Sequence, residues 1–199
     1  MRFTISIGLI AAWSLLNSGC VDSRAIHYYT IATPSAPATQ NAPGGPIVLV
    51  GNISIPPELA DGRIRYRVGT NEVGAYQFHR WVERPEAMIR TSLVQALRTS
   101  GKYRAVLEST SSTPGDYVLR GRLFEFDEVD HDTIQTTISL RVDLQDLKTR
   151  RIVWDDVFQR DEPVGNRNIS EVVQSLDRNL RAVANETAAG LDKFLAGLH

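Results

Sequence analysis

Few residues in this chain are of types that support catalysis or metal binding. No two of the four histidines, His27, His79, His131 and His199, stand three or four residues apart, and Cys20 is the only cysteine. The sequence also lacks the motifs of zinc proteases, phosphate-binding loops and serine hydrolases. We therefore expect no catalytic site, no bound metal and no cofactor. A hydrolase assembled from scattered Ser, His and Asp residues is the lowest-ranked alternative.

The chemistry that Cys20 can support is acylation, because it ends a segment with the order of a secretory signal. An arginine gives a positive start, residues 3–16 form an apolar run, and Ser18-Gly19-Cys20 supplies small residues. The run is shorter than the ~20 apolar residues that span a bilayer. The segment resembles a bacterial lipoprotein signal peptide, with Asn17 where leucine is usual. We predict a signal peptide over 1–19 and lipidation of Cys20. Ordinary signal cleavage nearby, which leaves a free thiol, is the alternative.

The residues after the cysteine predict where a lipoprotein would be held. Val21 occupies the position at which an aspartate usually retains a lipoprotein in the inner membrane, and Asp22 comes one residue later. This favours the periplasmic face of the outer membrane over the inner membrane. Residues 20–27 form a lipid-anchored tether, in which seven extended residues reach about 25 Å. The domain, predicted over 28–199, would therefore work close to its membrane.

Four arginines are the candidate contact residues for a partner or a membrane. Arg63, Arg65 and Arg67 alternate with apolar residues, so they share one face of a strand, and Arg80 can join them from the return strand. Such a row could contact an acidic partner or anionic headgroups, where each basic residue contributes about 1 kcal/mol. The alternative is a solvated outer face whose charges protect a sheet edge.

An acidic segment between two strong strand patterns is a second charged feature. It contains Glu125, Asp127, Glu128, Asp130, His131 and Asp132. Carboxylates attract hard cations, but the segment lacks the glycine and the regular ligand spacing of a calcium loop. We therefore favour a solvated hairpin tip over 127–132 that discourages edge aggregation.

The aromatic residues near the arginine row offer a further hypothesis. Tyr66, Tyr76 and Phe78 could form an exposed binding patch. Trp81 and Trp154 are expected to be packing residues rather than ligand stackers.

Hydrophobic periodicity predicts the elements that must position these residues. Strand patterns occur at 28–31, 47–55, 63–68, around residues 76–78, and at 102–107, 117–126, 134–145 and 152–158. A helix is predicted over 84–99, and a second follows an Asn168 cap with Glu171 three residues on. The last three strands predict an antiparallel meander, and the Pro/Ala-rich segment 33–46 predicts a loop. The fold class is α+β: a two-layer sandwich of a mostly antiparallel sheet packed by two amphipathic helices.

Several segments together resemble one protein family. They are the signal ending at Cys20, the run 28–31 (YYTI), the strand end 53–59 (ISIPPEL), the hairpin strand 64–67 (IRYR) and the helix entry 76–84 (YQFHRWVER). The turn from 143–144 to 153–154 adds support. In combination they are similar to the ABC-type transport auxiliary lipoproteins, the paraquat-inducible C-type group.

The resemblance implies a function without catalysis. Such lipoproteins accompany ABC transporters that use mammalian-cell-entry (MCE) domain proteins and are thought to move phospholipids or other hydrophobic molecules across the cell envelope. The expected partners are an MCE-domain protein, the permease/ATPase complex and the membrane, and the sheet edges allow a homo-oligomer. A net charge of −1 gives no reason to expect nucleic acid. The alternative is a structural or assembly lipoprotein of the envelope, TolB-like or part of a secretion machine.

Overall fold

The structure is a computed structural model that describes residues 24–32 and 42–198. Over these residues the chain forms eight strands and two α-helices, with one 3₁₀ turn at Pro57–Leu59. The strands are β1 His27–Tyr29, β2 Ile47–Ser54, β3 Arg63–Val68, β4 Glu72–Trp81, β5 Ala105–Glu108, β6 Tyr117–Asp130, β7 Ile134–Asp146 and β8 Ile152–Pro163. The helices are α1 Pro85–Ser100 and α2 Ile169–Ala196. The predicted signal peptide, Cys20 and residues 33–41 of the predicted loop lie outside the described residues.

The helix boundaries follow the residues that the sequence places there. Pro85 stands at the start of α1, where its missing N–H costs no hydrogen bond, and Gly101 ends the helix in the left-handed region at φ 68°. At the start of α2, the side chain of Asn168 accepts a hydrogen bond from the backbone N–H of Ser170. Glu171 does not return to Asn168 but accepts from the backbone N–H and the side-chain amide of Asn166.

The sheet forks at β6, its longest strand. One edge of β6 pairs along its whole length with β7, and β7 pairs in turn with β8, both antiparallel. The other edge is shared: the first half of β6 pairs with β2, which leads to β5, and the second half pairs with β3. β3 continues to β4 and then to β1, so these three strands form a separate wing of the sheet.

Both helices pack on one face of the sheet and close the core. α1 lies mainly on β2 and β5, whereas α2 lies mainly on β7 and β8, and the two helices contact each other. Leu93 and Leu97 of α1 and Leu176, Leu180 and Leu191 of α2 are fully buried there. The helices make few contacts with the wing, so much of it depends on its own side chains for packing.

The sequence-based fold class is confirmed, with one refinement in the pairing. An eight-stranded sheet with two helices is α+β, and the predicted β6–β7–β8 meander is present. The antiparallel pairs hold most of the paired residues, yet four of the seven pairings among the described residues are parallel. The predicted strand at 102–107 begins later, at Ala105, because Tyr103 turns into the core and donates a hydrogen bond to Asp192 of α2.

Candidate functional site

The predicted arginine row is present on the outer face of the wing, opposite the helices. Ile64 of β3 is buried in the core, so strand alternation turns Arg63, Arg65 and Arg67 to the other face. Arg80 of β4 is the Cα partner of Arg63 in the antiparallel pair, which brings the fourth predicted arginine beside the row.

Carboxylates of β6 neutralise one end of this row. Arg67 forms ion pairs with Glu125 at 2.8 Å and with Asp127 at 3.2 Å, and Asp127 is also the Cα partner of Arg65. Burial raises the pKa of Asp127, and the nearby Arg67 guanidinium opposes that shift only in part. The two carboxylates therefore belong to a half-buried charge cluster.

This cluster corrects the prediction of a solvated acidic tip over 127–132. β6 continues to Asp130, and only residues 131–133 lie outside strands at the tip. Glu128 is buried, and Asp127 is largely shielded beside Arg67. The strand extends further than the hydrophobic alternation indicated because β3 supplies Arg67 for Glu125 and Asp127, and β4 supplies the Tyr76 hydroxyl for Glu128.

At the other end of the row, Arg63 has an acidic partner and Arg80 has none among the described residues. Arg63 pairs with Asp61 at 2.6 Å, and both side chains are more than one-third exposed. The Arg80 side chain forms no hydrogen bond or ion pair with the residues that the structure describes, and its Nε is buried. Arg63 and Arg67 therefore have carboxylate partners, whereas Arg65 and Arg80 form no ion pair with the described residues.

A row of aromatic rings covers the inner face of the wing. The rings of Tyr66 and Tyr76 meet edge to face at 5.1 Å between centroids, and Tyr76 meets His79 at 5.7 Å. Tyr29 of β1 bonds through its hydroxyl to Nδ1 of His79 at 2.9 Å, and His27 stacks on the same imidazole at 5.3 Å.

Gly74 makes room for this row. A Cβ at this position would lie 2.3 Å from Cζ of Tyr66, so only glycine lets the Tyr66 ring lie across β4. The structure brings together only two of the three residues of the predicted aromatic patch, Tyr66 and Tyr76. Phe78 lies instead under Arg24, whose guanidinium carbon is 5.8 Å from the ring centre.

The aromatic row ends at β6 in a contact between Tyr76 and the buried carboxylate of Glu128. The hydroxyl of Tyr76 donates to Oε2 of Glu128 at 2.6 Å, and Glu128 is only 6% exposed. Burial raises the pKa of Glu128, and the Tyr76 hydrogen bond opposes the shift without cancelling it. Burial and the Glu128 charge together raise the pKa of the Tyr76 phenol well above its usual range.

The histidines have contacts that suit packing rather than catalysis. His79 contacts aromatic rings on three sides, and burial followed by the neighbouring His27 lowers its pKa. His131 lies exposed at the β6–β7 tip beside Asp132. Within residues 24–32 and 42–198, no three metal-ligating side chains are grouped as a metal site. Among the same residues, no helix is both long and apolar enough to cross a bilayer.

Sequence reasoning missed Tyr29, His27, His79 and Glu128 as one cluster. Their spacing offers little signal, because His27 and His79 become neighbours only through the parallel β1–β4 pair. The contact between Glu128 and Tyr76 could be proposed only after β4, β3 and β6 had been placed in this order in the sheet. Trp81 is confirmed as a packing residue: it is buried, and its ring lies 5.5 Å from that of Phe126.

An open sheet with both helices on one face and a wing that extends beyond them defines a two-layer α+β domain. The family model for the ABC-type transport auxiliary lipoprotein component matches residues 29–188, and the chain belongs to this family. The family description makes it an auxiliary component of transport and a lipoprotein of the cell envelope.

Solved structures share the fold at low sequence identity. Protein XCC0632 from Xanthomonas campestris has a TM-score of 0.74 and 21% identity, covering 84% of this chain and 96% of its own. An uncharacterised protein has a TM-score of 0.67 and 15% identity, covering 84% and 99%. Protein CT253 from Chlamydia trachomatis has a TM-score of 0.51 and 11% identity, covering 77% and 99%. No curated protein matches the chain significantly.

Proposed function

We propose that this chain is a non-catalytic lipoprotein that assists an MCE-type ABC transport system for phospholipids or other hydrophobic molecules. The observation that carries the proposal is the family match over residues 29–188, which begins nine residues after the cysteine of a lipoprotein-type signal. The domain would hold or position the MCE-domain protein, while the permease/ATPase complex supplies the energy.

The anchor in this proposal is Cys20, on the periplasmic face of the outer membrane. The signal sequence ends at this only cysteine, and Val21 rather than aspartate follows it. A diacylated or triacylated cysteine holds a protein firmly, whereas one acyl chain binds only marginally. The domain would then be confined to a thin layer next to the bilayer.

The side-chain arrangement supports a role in contact rather than in chemistry. His79 is engaged by Tyr29 and stacked on His27, so its imidazole is turned to aromatic neighbours and not to a serine. Arg67 of the wing forms an ion pair with Glu125 of β6. Aromatic and arginine side chains are enriched at the cores of protein interfaces.

Self-association is part of the proposal because the sheet has a long edge. Among the described residues β8 pairs only with β7, so its other edge is open to a second strand. Asp155, Asp156, Asp161 and Glu162 place acidic side chains along β8, and such charges oppose pairing of two identical edges. We therefore expect β8 to pair with a different strand of the neighbouring copy rather than with a second β8, and sedimentation of the lipidated chain in detergent would detect the assembly as a particle larger than a monomer.

Crosslinking in intact cells tests the transport role. The lipidated full chain, tagged at its carboxyl end, is crosslinked before lysis, and an unrelated tagged outer-membrane lipoprotein serves as the control. We expect an MCE-domain protein to be recovered with this chain and not with the control. Recovery of TolB-like or secretion-channel components instead would favour the assembly role, and recovery of no MCE-domain protein would refute the proposal.

A further inference from the structure

Large apolar side chains are exposed together where the chain enters the wing. Ile26 is 44% exposed, Tyr28 is 61% exposed and Val82 is 62% exposed. Tyr28 is the Cα partner of Arg80, and the backbone N–H of Val82 donates to the carbonyl of Tyr29. The three side chains therefore lie along the β1–β4 edge. We call this surface the entry patch; it comprises Ile26, Tyr28, Phe78, Val82, Arg63 and Arg80.

The two arginines of the entry patch differ in their acidic partners. Arg80 has no ion-pair partner among the described residues, and Arg63 forms an ion pair only with the exposed Asp61. Beyond Val82, Arg84 forms an ion pair with Glu86, so the flank carries one net negative charge, that of Glu83. An apolar surface bordered by arginines is typical of groups that lie at the headgroup level of a membrane.

The length of chain before the patch indicates what covers it. Four peptide steps separate Cys20 from Arg24, the first described residue, and they span at most about 14 Å. Arg24 contacts the Phe78 ring, so the chain enters the domain at the entry patch itself. A cysteine held in a bilayer would thus bring this surface, before any other part of the domain, to the headgroups.

We infer that the entry patch rests on the anionic bilayer that carries the lipid anchor, with Tyr28 and Val82 at the headgroup level and Arg63 and Arg80 facing lipid phosphates. This inference rests on lipidation of Cys20 in the proposed function. It leaves Arg67 a different role, because this side chain forms ion pairs with Glu125 and Asp127 of β6. The wing would lie on the membrane by its outer face, and its aromatic inner face would stay turned away.

Fluorescence quenching in vesicles tests the contact. Tyr28→Trp is made in the lipidated full chain and reconstituted into vesicles of phosphatidylcholine that contains brominated acyl chains, with or without phosphatidylglycerol. The wild-type chain, which has Trp81 and Trp154, supplies the background signal. A matched reporter, Val157→Trp, lies on the exposed face of β8, far from the patch in the sheet order. We expect quenching at position 28 that increases with phosphatidylglycerol, and none above background at position 157.

Charge variants separate headgroup binding from simple proximity. In the Tyr28→Trp chain, Arg63→Gln with Arg80→Gln should abolish the increase caused by phosphatidylglycerol, because each arginine contributes about fivefold to binding at an anionic surface. Arg141→Gln, which removes an exposed arginine of β7, should leave the increase unchanged. If the chain floats with vesicles but position 28 is not quenched, contact of the entry patch with the bilayer is refuted, whereas the lipid anchor of the proposed function is supported. If the chain does not float at all, the anchor of the proposed function fails.

Discussion

The hydrogen bond between Tyr76 and Glu128 is a residue-scale feature with a measurable consequence. Tyr76→Phe removes the donor of a buried carboxylate, and the loss of such a partner costs about 1–3 kcal/mol. Burial keeps the pKa of Glu128 raised above its unfolded value, so stability falls as pH rises through the interval between the two values. Loss of the Tyr76 hydroxyl raises the pKa of Glu128 further, because the hydrogen bond to it lowers that pKa. Urea unfolding should therefore show a larger deficit for Tyr76→Phe at neutral pH than at about pH 4.

Two variants control this prediction. Tyr66→Phe removes a hydroxyl from the adjacent ring, which forms no hydrogen bond with the described residues, and should change stability little at either pH. Glu128→Gln cannot ionise, so adding Tyr76→Phe to it should cost the same at both pH values. A deficit for Tyr76→Phe that is equal at both pH values in the unmodified background would show that Glu128 is not its charged partner.

At the scale of elements, the cap of α2 shows what the sequence could predict. Asn168 precedes an amphipathic run, and its side chain accepts the N–H of Ser170 as expected of an N-cap. Asn168→Ala should lower the free energy of unfolding by about 1 kcal/mol, because the first turn loses an acceptor. Asn168→Ser keeps an acceptor and should stay near wild type. Urea unfolding of the two variants distinguishes them, and equal stability of Ala and Ser would contradict a capping role.

What the sequence could not predict is how elements meet. Alternation placed Arg63, Arg65 and Arg67 on one face, because strand geometry alone determines it. The partners Glu125 and Asp127 depend on β3 pairing in parallel with the far half of β6, a register that tertiary packing selects. The polar contact between α2 and β7 could not be predicted for the same reason. The hydroxyl oxygen of Thr136 lies 2.6 Å from that of Ser175 and accepts a hydrogen bond from the side-chain amide of Asn179.

At the scale of the whole molecule, the fork at β6 separates the helix-covered core from the wing. β2, β5, β6, β7 and the helices supply most of the core, while the wing carries the start of the described chain through the β1–β4 pair. Cys20→Ser tests whether that start is an anchor, because the thiol is the group that lipidation modifies. We expect the variant to keep its signal peptide in an intact-mass measurement and to disappear from the outer-membrane fraction. Ser18→Ala, which keeps a small residue before the cysteine, should be processed as wild type. Unchanged mass and location for Cys20→Ser would contradict lipidation.

The short tether has a consequence for the assembled system. An insertion of about twenty Gly/Ser residues between Val21 and Arg24 adds a root-mean-square span of about 25 Å without touching the anchor or the domain. Because the effective concentration of a tethered group falls as its linker lengthens, crosslinking to the MCE-domain protein in cells should decrease. Replacement of residues 22–23 by Gly-Ser keeps the length and should preserve crosslinking. If the long insertion crosslinks as well as wild type while remaining in the outer membrane, the anchor retains the protein but does not position it.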